Sequence, residues 1–163
     1  MPDVSEKFTD AETNADSAGA PPRRKTPVWF WIIAVVATLW NFMGVFDYVM
    51  TQLGAEWYLA EFTPEQRAFF EGFPAWYVAI WALAVWLAFL ASLGLLVRTR
   101  FAAPMFAASL GLFLISAVYL YGFTPAYEMM SGLGGVIFSL LIFASLVALW
   151  RLSVWAKAAG ILR

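Results

Sequence analysis

Charge-free stretches of apolar residues alternate with short polar segments along this sequence. Four such stretches, each nineteen to twenty-seven residues long, occupy positions 28–46, 75–97, 101–127 and 129–150. An α-helix needs about 20 apolar residues to cross a hydrocarbon core about 30 Å thick, so each stretch is long enough to span a membrane once. The sequence lacks the alternation of apolar and polar residues, with a period of two, that a membrane β-barrel requires. Helices must therefore satisfy the backbone hydrogen bonds of the spans.

The pattern predicts an all-α membrane protein built as a four-transmembrane-helix bundle. The predicted spans cover about 28–50, 75–97, 102–122 and 132–150, within a transmembrane domain of residues 27–152. Residues 1–26 are rich in small, polar and acidic residues and in proline, which predicts a disordered cytoplasmic tail. Residues 153–163 are predicted to form a short basic cytoplasmic tail.

The first loop, residues 51–73, is the longest segment between two predicted spans. Its Thr63-Pro64-Glu65-Gln66 motif supplies an N-cap, a proline in the first turn and a glutamine placed to complete a capping box. Gly72 can end the helix that begins there. Phenylalanines such as Phe69 and Phe70 stand beside charged residues in this segment, a mixture typical of a short interfacial helix on a membrane surface.

The overall composition agrees with a membrane protein. Hydrophobic residues make up 63% of the 163 residues and charged residues only 13%, whereas soluble domains carry about 25% charged residues. The mean hydropathy is +0.74. Ten basic and eleven acidic residues give a net charge of −1, which excludes an overall basic nucleic-acid-binding protein.

The distribution of basic residues predicts an orientation. Nine of the ten Lys and Arg residues lie on the side of the termini and of the second loop, and only Arg67 lies opposite. The positive-inside rule then places both termini in the cytoplasm and the 51–73 loop outside. The predicted topology anchors are Arg23, Arg24, Lys25, Arg98, Arg100 and Arg151.

Most residue types that carry catalysis or bind cofactors are missing. The chain has no cysteine and no histidine, so thiolate chemistry and the commonest general base and metal ligand are excluded. Intramembrane hydrolysis requires an activated nucleophile, a carboxylate pair or a metal ion, and none of these is evident in the spans. The sequence therefore predicts a protein that is not an enzyme, without catalytic residues, metal or cofactor.

Polar residues gather on one side of the outer half of the first span. Asn41, Tyr48 and Gln52 lie within about 40° of one another around a helix. Asp47 adjoins them and lies about 28 Å along the helix from position 28, at the outer interface. Two interpretations stay open for Asp47: an interfacial carboxylate bonded to a neighbouring helix or loop, or a proton or solute site.

These residues define a candidate polar or ligand site. Asn41 is the deepest of them and is the best candidate for an interhelical hydrogen bond, because polar groups in a span normally face other helices. Aromatic faces beside hydrogen-bonding groups suit sugar recognition. The candidate site comprises Asn41, Asp47, Tyr48, Gln52, Trp57 and Trp76.

Pairs of small residues spaced by four recur in the later spans. Such pairs let helix backbones approach closely, so we expect them to pack helices within the bundle. The pairs are Ala88/Ser92, Ala107/Gly111 and Gly135/Ser139.

Several motifs together resemble a family of small four-helix bacterial inner-membrane proteins, some of which carry the label of sugar transporters. The motifs extend over about residues 28–163: Trp40-Asn41-Phe42-Met43-Gly44, Thr63-Pro64-Glu65 with Arg67 and Phe70, Pro74-Ala75-Trp76, Pro104, Gly134-Gly135 and a basic tail around Lys157. The resemblance implies a multi-pass protein of the bacterial inner membrane and supplies no mechanism or binding residues.

Two interpretations of function remain open. The first is a non-enzymatic accessory or scaffold subunit that acts through helix association, with other membrane-protein subunits or with itself. The second is a small-solute transporter, perhaps specific for a sugar, that acts as an oligomer with its polar site on the outer half of the first span. The lack of a continuous polar line across the membrane favours the first.

Overall fold

The computed structural model describes residues 26–163, so the predicted tail of residues 1–26, with Arg23, Arg24 and Lys25, lies outside the described residues except for Thr26. The described chain is all-helical and contains no β-strand. Its seven helices are α1 (Val28–Gln52), α2 (Glu56–Leu59), α3 (Pro64–Glu71), α4 (Ala75–Leu96), α5 (Ala102–Phe123), α6 (Ala126–Met129) and α7 (Leu133–Ala158).

Four of the helices are long and apolar enough to cross a membrane. They are α1, α4, α5 and α7, with 25, 22, 22 and 26 residues, which confirms the prediction of four spanning-capable helices. The helix ends differ slightly from the predicted spans, and α7 differs most because it continues to Ala158. Residues 153–158, assigned to a tail from the sequence, are therefore the last turns of this helix.

The long helices pack in chain order. The backbones of α1 and α4, of α4 and α5, and of α5 and α7 lie closest. Helices α1 and α7 meet through large aromatic side chains: the ring centres of Trp29 and Trp155 are 5.3 Å apart. Farther along, the indole N–H of Trp40 donates a hydrogen bond of 3.2 Å to the hydroxyl of Ser145.

The main core lies in the half of the bundle that ends at residues 97–101 and 159–163, which we call the termini end. Phe30 and Phe106 are fully buried there among small residues such as Ala34 and Ala91. Alanines at helix contacts let the backbones come close enough for the two phenyl rings to fill the remaining space. This half of the bundle is therefore filled by side chains.

Three helices end in the same backbone motif. After α1, α4 and α7, a residue with positive φ is followed by an amide that bonds back to the helix, at Gly54, Arg98 and Gly160. This is the Schellman arrangement, which satisfies the last carbonyl groups. Arg98 holds a conformation that normally favours glycine, and its guanidinium bonds Thr26 and lies 5.9 Å from the ring centre of Trp31.

The last residues close the termini end. Beyond the turn at Gly160, Ile161 and Leu162 are each only 5% exposed and belong to the main core. The backbone of Arg163 exchanges hydrogen bonds of 2.7 Å with Arg98 and Arg100. This part of the predicted short basic tail is structured, because two apolar residues after a Schellman turn pack into the main core.

The opposite end of the bundle, formed by residues 53–74 and 124–132, is called the loop end. Helix α3 begins with the capping box predicted from the sequence, in which Thr63 and Gln66 bond each other's backbone amides. The Gln66 side chain also donates a 2.8 Å hydrogen bond to the carbonyl of Met129. This bond ties the two loops together above a second apolar cluster around Tyr77 and Leu120.

Candidate functional site

The hydrogen bonds and ring contacts of the candidate polar site join its residues to residues outside it. The phenol of Tyr48 packs edge-on against Trp81, with ring centres 5.1 Å apart. Trp76 packs against Tyr119 at 4.6 Å, and the largely exposed Trp57 lies against Phe46.

Asp47 has a specific partner that the sequence did not indicate. The hydroxyl of Tyr58, on α2, donates a 2.5 Å hydrogen bond to the Asp47 carboxylate. Burial raises the pKa of the Tyr58 phenol, and the hydrogen bond to Asp47 and the negative charge of Asp47 raise it further. Tyr58 thus remains a donor across the physiological pH range and fastens α2 to the end of α1.

Asn41 does not form the predicted interhelical hydrogen bond. Its amide nitrogen donates a 2.8 Å bond to the carbonyl of Ala37, one turn earlier in the same helix. A short amide side chain can reach the carbonyl four residues back, and this local bond competes with any longer one. Interhelical bonds are instead made by Ser109, which donates to the Ala84 carbonyl, and between Tyr121 and Ser139.

Two further polar side chains buried within the long helices are also hydrogen-bonded. The hydroxyls of Ser92 and Ser153 donate to the carbonyls of Phe89 and Leu149 in their own helices. Among the buried side chains of residues 26–163, only the hydroxyl of Ser116 has no hydrogen-bond partner. Because these buried hydroxyls are already satisfied by backbone carbonyls, the described interior offers no chain of free polar groups along which a solute could move.

One of the small-residue pairs is buried inside the bundle, and another is exposed on its outside. Ala88 and Ser92 are buried, as expected. Ala107 and Gly111 are exposed instead, and a β-carbon built at Gly111 would have no atom within 4 Å. The expectation that this pair packs inside the bundle is wrong: the same helix buries its opposite side, through Phe106 and Ser109.

Helix α5 therefore presents a continuous face of small and β-branched residues to the outside. At 100° per residue these positions lie within about 80° of one another around the helix. All are exposed, Val118 at 64%. This small-residue face consists of Ala107, Gly111, Ile115, Val118 and Gly122.

A groove opens at the loop end, between the end of α1, the short helices α2 and α3, and the start of α4. Its volume is about 350 Å³. Arg67 is fixed there by hydrogen bonds of 3.0 and 2.6 Å from Nε and Nη2 to the carbonyl of Leu59, and by an ion pair with Glu56. The lining residues are Thr51, Gln52, Leu53, Gly54, Leu59, Arg67, Phe70, Glu71, Phe73 and Val78.

Of the six candidate residues, only Gln52 lines this groove. Sequence reasoning missed Arg67 and Glu71 as groove residues, although both stand on the helix that the capping box predicts. Their spacing of four was the available signal, because residues at i and i+4 share one face of a helix.

The predicted topology anchors that the structure describes lie at the termini end of the bundle. Arg98 stacks on Trp31, and the guanidinium of Arg100 lies 5.6 Å from the ring centre of Phe101. Arg151 is exposed on α7, two turns before its end. All three lie near one end of the long helices.

Within residues 26–163, no three Asp or Glu residues come together in a way that could hold a metal ion. Comparison of the chain with models of known families, with curated proteins and with solved structures finds no match. The geometry of the chain itself is therefore the basis for a functional interpretation.

Proposed function

We propose that this chain is a non-enzymatic accessory or scaffold subunit of a membrane assembly, and that it acts through helix association on the small-residue face of α5. Without a hydrophobic driving force between helices in lipid, association depends on close backbone approach and van der Waals contact. A face with glycines at positions 111 and 122, open on the outside, meets that requirement. This face is the observation that carries the proposal.

The filled core argues for association over conduction. The termini end is closed by Ile161 and Leu162, and the buried serines of the spans bond backbone carbonyls. A transporter that binds its solute at the loop end would have to open this packed half of the bundle to release the solute on the opposite side of the membrane. The candidate residues proposed for solute binding also contact separate partners; Asp47, for example, accepts a hydrogen bond from Tyr58. The transporter interpretation therefore has the weaker support.

We further propose that the termini lie in the cytoplasm of a bacterium, with the loop end outside its inner membrane. Support comes from the basic residues Arg98, Arg100 and Arg151 near one end of the bundle and from the resemblance to four-helix bacterial inner-membrane proteins. Helix α3 then lies at the outer surface of that membrane, with Phe69 packed against the cluster around Tyr77 and Phe70 lining the groove.

The orientation is tested by labelling single cysteines in a chain that has none of its own. We expect an impermeant thiol reagent to label Glu61→Cys in intact cells, because Glu61 is exposed at the loop end. Lys157→Cys, exposed at the termini end, should be labelled only after the cells are lysed. Labelling of Lys157→Cys in intact cells would reverse the orientation.

Association is tested by adding bulk to the small-residue face. Gly111→Leu should remove the assembly, because the new side chain holds an approaching backbone away. The bundle itself should stay folded or gain slightly, since nothing lies within 4 Å of the new β-carbon and leucine is a better helix former than glycine by roughly 0.8 kcal/mol. The measurement is particle mass by light scattering after extraction in a mild detergent.

Ala144→Leu is the matched control, since Ala144 is an exposed small residue on α7, outside the proposed face. It should leave both the particle mass and the unfolding temperature close to those of the wild type. Equal particle masses for wild type and Gly111→Leu, with both chains folded, would refute association through α5.

A further inference from the structure

The groove at the loop end carries both signs of charge on one wall. Arg67 and Glu71 stand four residues apart on α3, on one face of that helix, and both line the groove. The Arg67 guanidinium pairs with Glu56 and the Leu59 carbonyl rather than with Glu71. A positive and a negative group therefore border the same cavity without neutralising each other.

The position of Arg67 is fixed before any ligand binds. A guanidinium has five N–H donors, and three of them take part in the bonds to Leu59 and Glu56. Two donors remain for a ligand, one on Nη1 and one on Nη2, and a phosphate or carboxylate oxygen can accept charge-assisted hydrogen bonds from them. Because two nitrogens of Arg67 already donate to the Leu59 carbonyl, the Arg67 side chain loses less conformational entropy when a ligand binds.

The rest of the groove combines an apolar base with polar groups at its rim. Leu59, Phe73 and Val78 contribute apolar surface, and Gln52 contributes an amide. The groove lies where α1 ends and α4 begins, and both helices are long and apolar enough to span a membrane. Its volume of about 350 Å³ is at the lower limit of ligand sites, which run from about 300 to 1,000 Å³. It therefore suits a small polar group with an apolar attachment.

The charge around the groove selects among such groups. Residues 53–74 and 124–132 contain five glutamates and one arginine, so a ligand with net negative charge is repelled by the surrounding surface. A ligand whose positive and negative charges are equal in number is not repelled. An ammonium group beside Glu71 gains a charge-assisted hydrogen bond only if it carries N–H donors, which a quaternary ammonium lacks.

We propose that this groove binds the headgroup of a zwitterionic phospholipid, with the phosphate on Arg67 and a primary ammonium between Glu71 and Gln52. The chemistry recognised is that of a phosphate ester of ethanolamine, and the acyl chains lie along the apolar surface toward Val78. The site depends on membrane insertion of the chain and not on its association through α5.

The test uses the full chain in a mild detergent, freed of lipid by extensive washing. Unfolding temperature is followed while phosphatidylethanolamine, phosphatidylcholine or phosphatidylglycerol is added. We expect phosphatidylethanolamine to raise the unfolding temperature at the lowest concentration, since a ligand that binds only the folded state stabilises it. Glu71→Gln should weaken its apparent affinity roughly tenfold, as the loss of one hydrogen bond to a charged group implies, and leave phosphatidylcholine binding unchanged.

Glu61→Gln is the matched control, because Glu61 is exposed at the same end but does not line the groove. It should bind phosphatidylethanolamine as the wild type does. Soluble phosphoethanolamine distinguishes binding of the headgroup from binding of the whole lipid. If it competes with phosphatidylethanolamine, the headgroup alone is recognised. If it does not compete and binding still depends on Glu71, the lipid is held by its acyl chains as well. Equal effects of phosphatidylethanolamine and phosphatidylglycerol, or unchanged affinity in Glu71→Gln, would overturn the proposal.

Discussion

Replacing Gly135 by alanine is expected to disrupt the start of α7. A β-carbon at this position would overlap the backbone carbonyl of Met130, and a backbone atom cannot move aside as the end of a flexible side chain can. The turn that leads from α6 into α7 would have to shift, and with it the bond between Gln66 and Met129. We expect a loss of about 3 kcal/mol in the free energy of unfolding, at the upper end of overpacking effects.

The neighbouring glycine supplies a control of opposite sign. A β-carbon at Gly134 would meet only the β-carbon of Ser131, at an ordinary 3.9 Å, so Gly134→Ala should be neutral or stabilise by up to about 1 kcal/mol through better helix propensity. Both variants can be compared by loss of helical circular dichroism during denaturation in detergent micelles. Equal stability of the two variants would mean that the 126–135 segment has a different backbone path.

The second large effect is expected at the closed termini end. Truncation of Ile161 and Leu162 together to alanine removes two side chains that are each 5% exposed. We expect a loss of about 4 kcal/mol, from the range for large-to-small substitutions in a packed core. The backbone pairing of Arg163 with Arg98 and Arg100 should open, and the amide of Arg100 should exchange its hydrogen faster.

The matched control is the double variant Val97→Ala and Phe101→Ala, which truncates two apolar residues of the same end that are 75% and 59% exposed. It should change the free energy of unfolding by less than about 0.5 kcal/mol, as is usual for surface substitutions. Stability is measured by denaturant unfolding, and amide exchange by mass spectrometry. An Ile161/Leu162 variant as stable as this control would show that the segment does not close the bundle.

The positions of the long helices could be predicted from the sequence because charged residues are so costly in a bilayer that their absence delimits each span. The first turn of α3 could be predicted as well, since Thr63 and Gln66 form a local motif that needs no tertiary contact. Each of these patterns lies within one segment of the chain, so it can be recognised without knowledge of the fold.

Which side of each helix faces the bundle could not be predicted. In water an apolar stripe marks the buried side of a helix, but a spanning helix is apolar on every side. The pair Ala107 and Gly111 has the spacing of a helix-packing motif but is exposed, while Phe106 and Ser109 of the same helix are buried.

Contacts between distant segments were also beyond the sequence pattern. The bond from Tyr58 to Asp47 depends on the turn at Gly54, which brings α2 back over the end of α1. The return of Ile161 and Leu162 to the core depends in the same way on the turn at Gly160. A glycine followed by apolar residues at a helix end is a sign of such a turn, and Gly160, Ile161 and Leu162 carry it.

Association of the chain in its own membrane determines the mass of the particle that contains it. The chain is extracted at native abundance into polymer-bounded membrane discs and its complexes are weighed by native mass spectrometry. We predict a complex with a fixed ratio of subunits, either several copies of this chain or this chain with a membrane partner. A single copy of the chain as the only species would refute association.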